Sequence, residues 1–510
     1  VSRAALILFI CIALPAALWP KPGIAASFDT ATAATVWAAA LSYIAPRALE
    51  PLSVPQMTIW GLNGLTALDP DLNATLQDSQ IRLYGPNQLL IAIPSPPPDD
   101  SNAWGKAAAQ VANAAYNASP ALQQAGTQGV VESFFDELFN HFDPYSRYEP
   151  PIQAAQDQLL VSGIAGAGFT LGRQNGHVVI ASVAAAGPAA EAGLEIGTVV
   201  LAVDGKPASV SRLASLNEGL NGILGSTITL RLADPDASGN ASDVVLTRAF
   251  VPAQTVFAET FGRGQKFMVL KISGFNKGTS EQFSNALVAG LAANPAPDGL
   301  VIDLRGNRGG VLRQAVLVAD TLLPGGKIVD AAGRDKDADQ DFAAEGSDIT
   351  GGLPIAVLVD GQTASAAEIL AAALADDRRA VVIGSTTLGK GLVQTLTQLP
   401  DGGELFVTWS RVLAPRGWPL QTLGLMPQIC TSLGEAALDS QLATLAKGKN
   451  LMADAIAQSR AARPAMSVNA ILDIRDQCPA AIGGALDETA AALVMNQPAA
   501  YQAALVPAQN

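Results

Sequence analysis

Between residues 355 and 394 the chain reads IAVLVDGQTASAAEILAAALADDRRAVVIGSTTLGKGLVQ. Two uninterrupted apolar runs, each too short for a helix, run into Gly-containing turns. An Ala-rich helical segment, 366–375, lies between them. Two short strands joined by a helix form a crossover unit, and such units build parallel sheets with helices on their faces. The pattern recurs upstream. FMVLKI (267–272) precedes a helical stretch at 279–293, with Thr279 the expected N-cap and Gln282 its capping-box partner. GLVIDL (299–304) precedes the turn RGNRGG (305–310) and a helix over 311–323. Residues 253–430 are therefore expected to form an α/β core, a mostly parallel sheet with flanking helices. Functional turns should gather at the carboxyl ends of its strands.

The rest of the 510 residues exceeds what one core can organise. Residues 1–26 have the form of a secretory signal. Arg3 is followed by a charge-free apolar run to Pro20, and Gly23-Ile24-Ala25-Ala26 offers small residues for cleavage. An uncleaved anchor is the rival, although the run is shorter than a spanning helix wants. Residues 27–158 read as a mainly helical N-terminal region. In it, 80–93 forms a hairpin about Gly85-Pro86-Asn87, and 130–142 (VVESFFDELFNHF) forms a packed helix. Residues 431–510 read as a C-terminal helical region that packs on the core. The charged stretch 330–342 (DAAGRDKDADQDF) reads as a solvated loop, with a lid as the sharper alternative.

Residues 159–252 are β-rich. The Gly-rich stretch GIAGAGF (163–169), the turn PAAEAGL (188–194), the strand at 197–203 and Asp204-Gly205 together resemble a PDZ domain. That resemblance implies a loop, Gly166, Ala167, Gly168 and Phe169, whose N–H groups cap a peptide carboxylate. A strand edge beside it would take the peptide by β-augmentation.

The net charge of −14 and the lack of basic runs exclude a nucleic-acid partner. H-E-x-x-H and P-loop motifs are absent, so no metal and no cofactor is expected. Cys11 lies in the signal. Cys430 and Cys478 remain, bridged in an oxidising compartment or present as two buried thiols.

Serine chemistry follows by elimination. The chain has two histidines, His141 and His177, neither near Ser365 in sequence, and no G-x-S-x-G elbow. Ser365 opens the Ala-rich helix, where the plain reading is an N-cap. As a nucleophile it needs a base, and a lysine kept neutral by burial can serve. Lys390 stands among Leu388, Leu392 and Val393, with no carboxylate within ten residues on either side. Gln394, four residues on, can orient it without holding it protonated. The N–H of Ala366 in the helix's first turn and those of Gly309 and Gly310 can form an oxyanion hole.

Five motifs occur in order: FDPYS (142–146), the PDZ pattern, DLRGNRGG (303–310), the Ser365 turn, and GKGLVQ (389–394). Together they resemble the carboxyl-terminal processing peptidases (tail-specific proteases) of serine peptidase family S41. The resemblance covers roughly residues 130–430. It implies Ser365 as nucleophile, Lys390 as general base and Gln394 as its positioning partner, acting on protein or peptide substrates with free C-termini in the periplasm or cell envelope of a bacterium. Peripheral association with a membrane or an adaptor stays open. Two departures stand out: Leu388 where the family has an aromatic, and Gln428 where it commonly has Asp. A non-catalytic envelope adaptor that binds C-terminal tails shares every feature except use of the dyad.

Overall fold

The computed structural model describes residues 27–507, apart from 163, 185–186, 234–240, 262–266, 347 and 464–465. The expected signal segment, Cys11 included, lies outside the described residues. Two compact units make up the rest.

The smaller unit holds residues 27–42 and 53–142. Its helices are bounded by readable caps. Ser53 accepts from the Gln56 N–H before Val54–Asn63, Asp100 from the Ala103 N–H before Ser101–Ala118, and Ser119 from the Leu122 N–H before Pro120–Asn140. A three-stranded meander, Asn73–Gln77, Gln80–Tyr84 and Leu89–Pro94, includes the hairpin. Trp37, Trp104 and Phe135 are fully buried, and Trp37 stacks on Phe134 at 4.5 Å between centroids.

In the larger unit, six strands form one sheet in the order Val256–Phe261, Phe267–Ile272, Gly299–Asp303, Ile355–Val359, Val381–Gly384, Ile429–Cys430. The first pair is antiparallel and the other four pairings are parallel. Alternate residues face opposite sides. Leu300, Ile302, Ile355, Val357, Val359 and Val382 join one core, beneath the helices Thr279–Leu291, Leu312–Leu322 and Ala366–Asp376. Val301, Ala356, Leu358, Val381 and Ile383 join the other, beneath Glu435–Leu445, Ala485–Met495 and Pro498–Ala504. Burial on both faces is why these strands read as unbroken apolar runs.

A second, antiparallel sheet runs Gln340–Ala344, Gly326–Gly333, Glu404–Leu413, Leu392–Gln398, and Arg147–Glu149 also pairs with Glu404–Leu413. This corrects the reading of 330–342 as a loop. Most of the stretch is a hairpin, and its acidic residues decorate the outside, with Lys327 paired to Asp330. The capping expectation at Thr279 is also corrected. Gly278 is the N-cap, and the Gln282 carbonyl accepts from the Thr255 and Val256 N–H groups instead.

Residues 164–251 carry their own core, including Leu171, Ile180, Ile228 and Leu230. Two further sheets, Phe169–Gln174 with His177–Val183 and a four-stranded one built on Thr227–Ala233, pack with the helix Leu213–Leu220. The buried Arg248 guanidinium ties this body together through the carbonyls of Gly219, Leu220 and Thr227.

Candidate active site

Parallel strands deliver their carboxyl ends to one edge, so the turns at 304–311, 360–365 and 385–391 meet there. Hydrogen bonds lock the first two together. Asp360 Oδ1 accepts from the N–H groups of Gly306, Gln362 and Thr363. Ala364 N–H donates to Asn307 O, and the Thr363 hydroxyl to Leu304 O. The turn so fixed carries Ser365 at φ 57°, ψ −121°. A serine in that region is strained, and such strain persists only where the surroundings over-determine it.

Ser365 is also the N-cap of Ala366–Asp376, and its N–H donates to Glu368 Oε2 at 2.8 Å. Glu368 is wholly buried. The same oxygen accepts the Lys390 N–H at 2.9 Å, while Oε1 accepts from the Gly389 N–H and the Thr387 hydroxyl. One carboxylate thus holds the main chains of Ser365 and Lys390 side by side. Burial pushes the Glu368 carboxyl up, against four donors that favour its ionised form.

Gly309 backs this arrangement. Its φ is 92°, and a Cβ there would stand 2.7 Å from Ser365 Cβ and 3.0 Å from Ala366 N. Its own N–H is taken by Asn307 Oδ1, which removes it from the expected oxyanion donors. The N–H groups of Gly310 and Ala366 have no partner among the described residues.

Lys390 is half-buried, and its ammonium lies 4.7 Å from the centroid of the Tyr145 ring. Burial and the nearby Arg147 push its pKa down; Asp143 and Glu368 hold it up. No hydrogen bond joins Lys390 Nζ to Ser365 Oγ among the described residues. Gln394 does not bond Lys390 either: its amide donates to Leu392 O and Thr408 Oγ1. Thr408 in turn donates to Asp143 Oδ1. His141 pairs with Glu137 and stacks on Trp60, and His177 is an exposed strand residue.

In the β-rich body Gly166 pairs with Ala249, and the Ala167 N–H already donates to Leu220 O. Gly168 turns at φ 80°, and Phe169 begins the strand. The Leu171 N–H and C=O are held by the Asn217 side chain at 2.8 and 3.0 Å. Cys430 and Cys478 form a disulfide, and both are fully buried. Gln428 sits in the sheet, exchanging bonds with both backbone groups of Val382. No group of His, Cys, Asp and Glu fit to hold a metal occurs among the described residues.

Sequence reasoning missed Glu368 and Tyr145 as parts of the site. Ser365-Ala-Ala-Glu368 is a capping-box pattern and could have flagged the first. Tyr145 gave no signal beyond its place in the FDPYS motif.

Residues 266–431 match the sequence profile of peptidase family S41. A carboxy-terminal-processing protease of Bartonella bacilliformis is 31% identical over 305 residues, spanning 59% of this chain and 69% of that protein. The chain belongs to peptidase family S41. The chloroplastic C-terminal processing peptidase of Tetradesmus obliquus is 32% identical over 307 residues, and the match spans 56% of this chain and 64% of that protein, just under two thirds. A solved photosystem II D1 C-terminal processing protease is 27% identical, with 73% of this chain and 92% of that one covered at a TM-score of 0.37. S41 processing proteases of this kind are serine peptidases, and this chain has the S41 core with mixed sheets and helices.

Proposed function

We propose that the chain is an exported serine endopeptidase that cleaves near the C-termini of proteins, with Ser365 as nucleophile and Lys390 as base. The observation that carries this reading is the Glu368 carboxylate, which fastens Ser365 and Lys390 together at a strained serine. The neutral lysine takes the Ser365 proton as Oγ attacks the scissile carbonyl. The N–H groups of Ala366 and Gly310 receive the oxyanion. The lysine then returns its proton to the leaving amine, giving an acyl-enzyme that water hydrolyses with the same base.

Residues 164–251 act in this reading as a PDZ domain. Supporting it are the Gly168 turn, the edge strand Phe169–Gln174 and the helix Leu213–Leu220 beside it. A peptide adding to that edge must displace the Asn217 amide, which imitates a paired strand at Leu171. Export is supported by the Cys430–Cys478 bridge, since disulfides persist in oxidising compartments. No helix among the described residues is long and apolar enough to cross a membrane.

The separation of Lys390 Nζ from Ser365 Oγ favours one rival, a tail-binding adaptor that does not cut. An unstructured peptide with a free apolar C-terminus decides. The wild type cleaves it, Ser365→Ala does not, and Lys390→Ala loses about 10²–10⁴-fold in kcat. Equal cleavage by wild type and Ser365→Ala would end the protease reading. Binding without cleavage by both would establish the adaptor.

A further inference from the structure

Lys390 has a seat. Its ammonium lies within cation–π range of the Tyr145 ring, at 4.7 Å. That residue has polar neighbours on two sides. On one, the Asp143 carboxylate accepts from the N–H groups of Tyr145 and Ser146 and from the Ser146 and Thr408 hydroxyls. On the other, the Gln421 side chain faces the Tyr145 phenol, and its Oε1 accepts the Gly391 N–H from the turn that carries the lysine. The main chain that carries the ring is thus held by Asp143, and the ring faces the turn that carries the lysine it contacts.

We propose that Tyr145 is the positioning residue of the base: its ring parks the protonated Lys390 away from Ser365 and releases the neutral amine to it. The proposal rests on the Ser365–Lys390 dyad reading above. An ammonium is attracted to the ring's negative face, whereas a neutral amine is not. The main chains of Ser365 and Lys390 already share Glu368 Oε2, so the flexible four-carbon stem needs only side-chain rotation to reach the serine. The other charges facing the lysine are accounted for. Arg147 disfavours its proton; Asp143 and Glu368 favour it. Burial pushes the Tyr145 phenol up, so the ring stays neutral through the working range. Arg475 acts on Glu368.

The test reads the lysine directly and by activity. Protein carrying lysine labelled with carbon-13 at the ε position is titrated by NMR, with the Lys390 resonance assigned by its loss in Lys390→Ala. Removing the seat in Tyr145→Leu lowers the apparent pKa of Lys390 by roughly 0.5–1 pH unit. The acid limb of kcat/KM moves to lower pH by the same amount. Tyr145→Phe keeps the ring and leaves both unchanged, which also shows that the fold survives. A Lys390 pKa unmoved or raised in Tyr145→Leu overturns the proposal, as does an equal shift in Tyr145→Phe. Failure of the dyad reading looks different: cleavage then persists in Lys390→Ala, whatever the NMR titration shows.

Discussion

Glu368 is out of solvent and makes no ion pair among the described residues, and four donors converge on its two oxygens. Glu368→Gln keeps the shape and turns one acceptor into a donor facing donors. The expected result is a stability loss of about 1–3 kcal/mol, the cost of a buried unsatisfied group. A fall in kcat of at least about tenfold accompanies it, as the Ser365 and Lys390 turns come apart by a fraction of an ångström. Urea unfolding and peptide cleavage measure the two effects separately. The proposed pair, Ser365 and Lys390, was open to sequence reasoning because catalysis constrains residue type and the scarcity of histidine points to lysine. Glu368 was not, since a carboxylate that serves mostly main-chain groups has no characteristic spacing to its partners at Gly389 and Lys390, twenty-odd residues away. The Gly309-Gly310 turn was legible as a close approach, but not which N–H stays free, because that depends on where Asn307 turns its amide.

At the scale of elements, the helix Ala366–Asp376 begins and ends against opposite electrostatic demands. Its N-terminus welcomes Glu368; its C-terminus carries Asp376 and then Asp377, against the helix dipole. Asp376 is stabilised by the Trp418 indole N–H and by Arg460. Asp377 is pushed up to about 6, by burial first and then by Asp376. A carboxyl raised above its unfolded value adds stability below pH 4, and that contribution is lost as pH rises through about 6. Asp377→Asn should therefore raise Tm at pH 8 and do little at pH 4. Asp377 packs on one side and keeps the other open to solvent, so solvent screening limits the gain to about 1 kcal/mol. Thermal unfolding at the two pH values checks it. Elements buried on both faces were the easiest to read, as with IAVLV and VVIG. The hairpin around 330–342 was misread because one of its faces is solvated, so its strands lack an apolar run. Gln282 was misread because a capping box cannot be told from sequence when a neighbouring strand competes for the same amide.

Over the whole molecule, residues 431–507 are fastened to the S41 core by a shared apolar layer and by polar ties at the site's edge. Arg305 of the DLRGN turn pairs with Asp487 and Glu488, Asp360 accepts the Gly483 N–H, and the Ser385 hydroxyl donates to Ala481 O. The Cys430–Cys478 bridge spans 48 residues and pins this segment to the last strand of the sheet. By loop-closure entropy it is worth about 4 kcal/mol. The Cys430→Ser, Cys478→Ser double variant should lose roughly 2–5 kcal/mol in urea unfolding. Native wild type should resist mild reductant, because both sulfurs are fully buried. Sequence pattern conveyed that the C-terminal region is helical and packs on the core, but not which residues meet there, since amphipathic Ala-rich helices carry little pairing information. Lys390 lies where the chain leaves the parallel sheet at Gly384 and enters the antiparallel one at Leu392. Ser365 and Glu368 ride with the first sheet, and Tyr145 stands beside Ser146 and Arg147–Glu149, which are bonded to the second. In the proposed reading the Ser365–Lys390 pair thus works as a gauge of the registry between two sheets. A small tilt of one against the other is felt first at the lysine, with the Glu368 carboxylate as the pin that resists it.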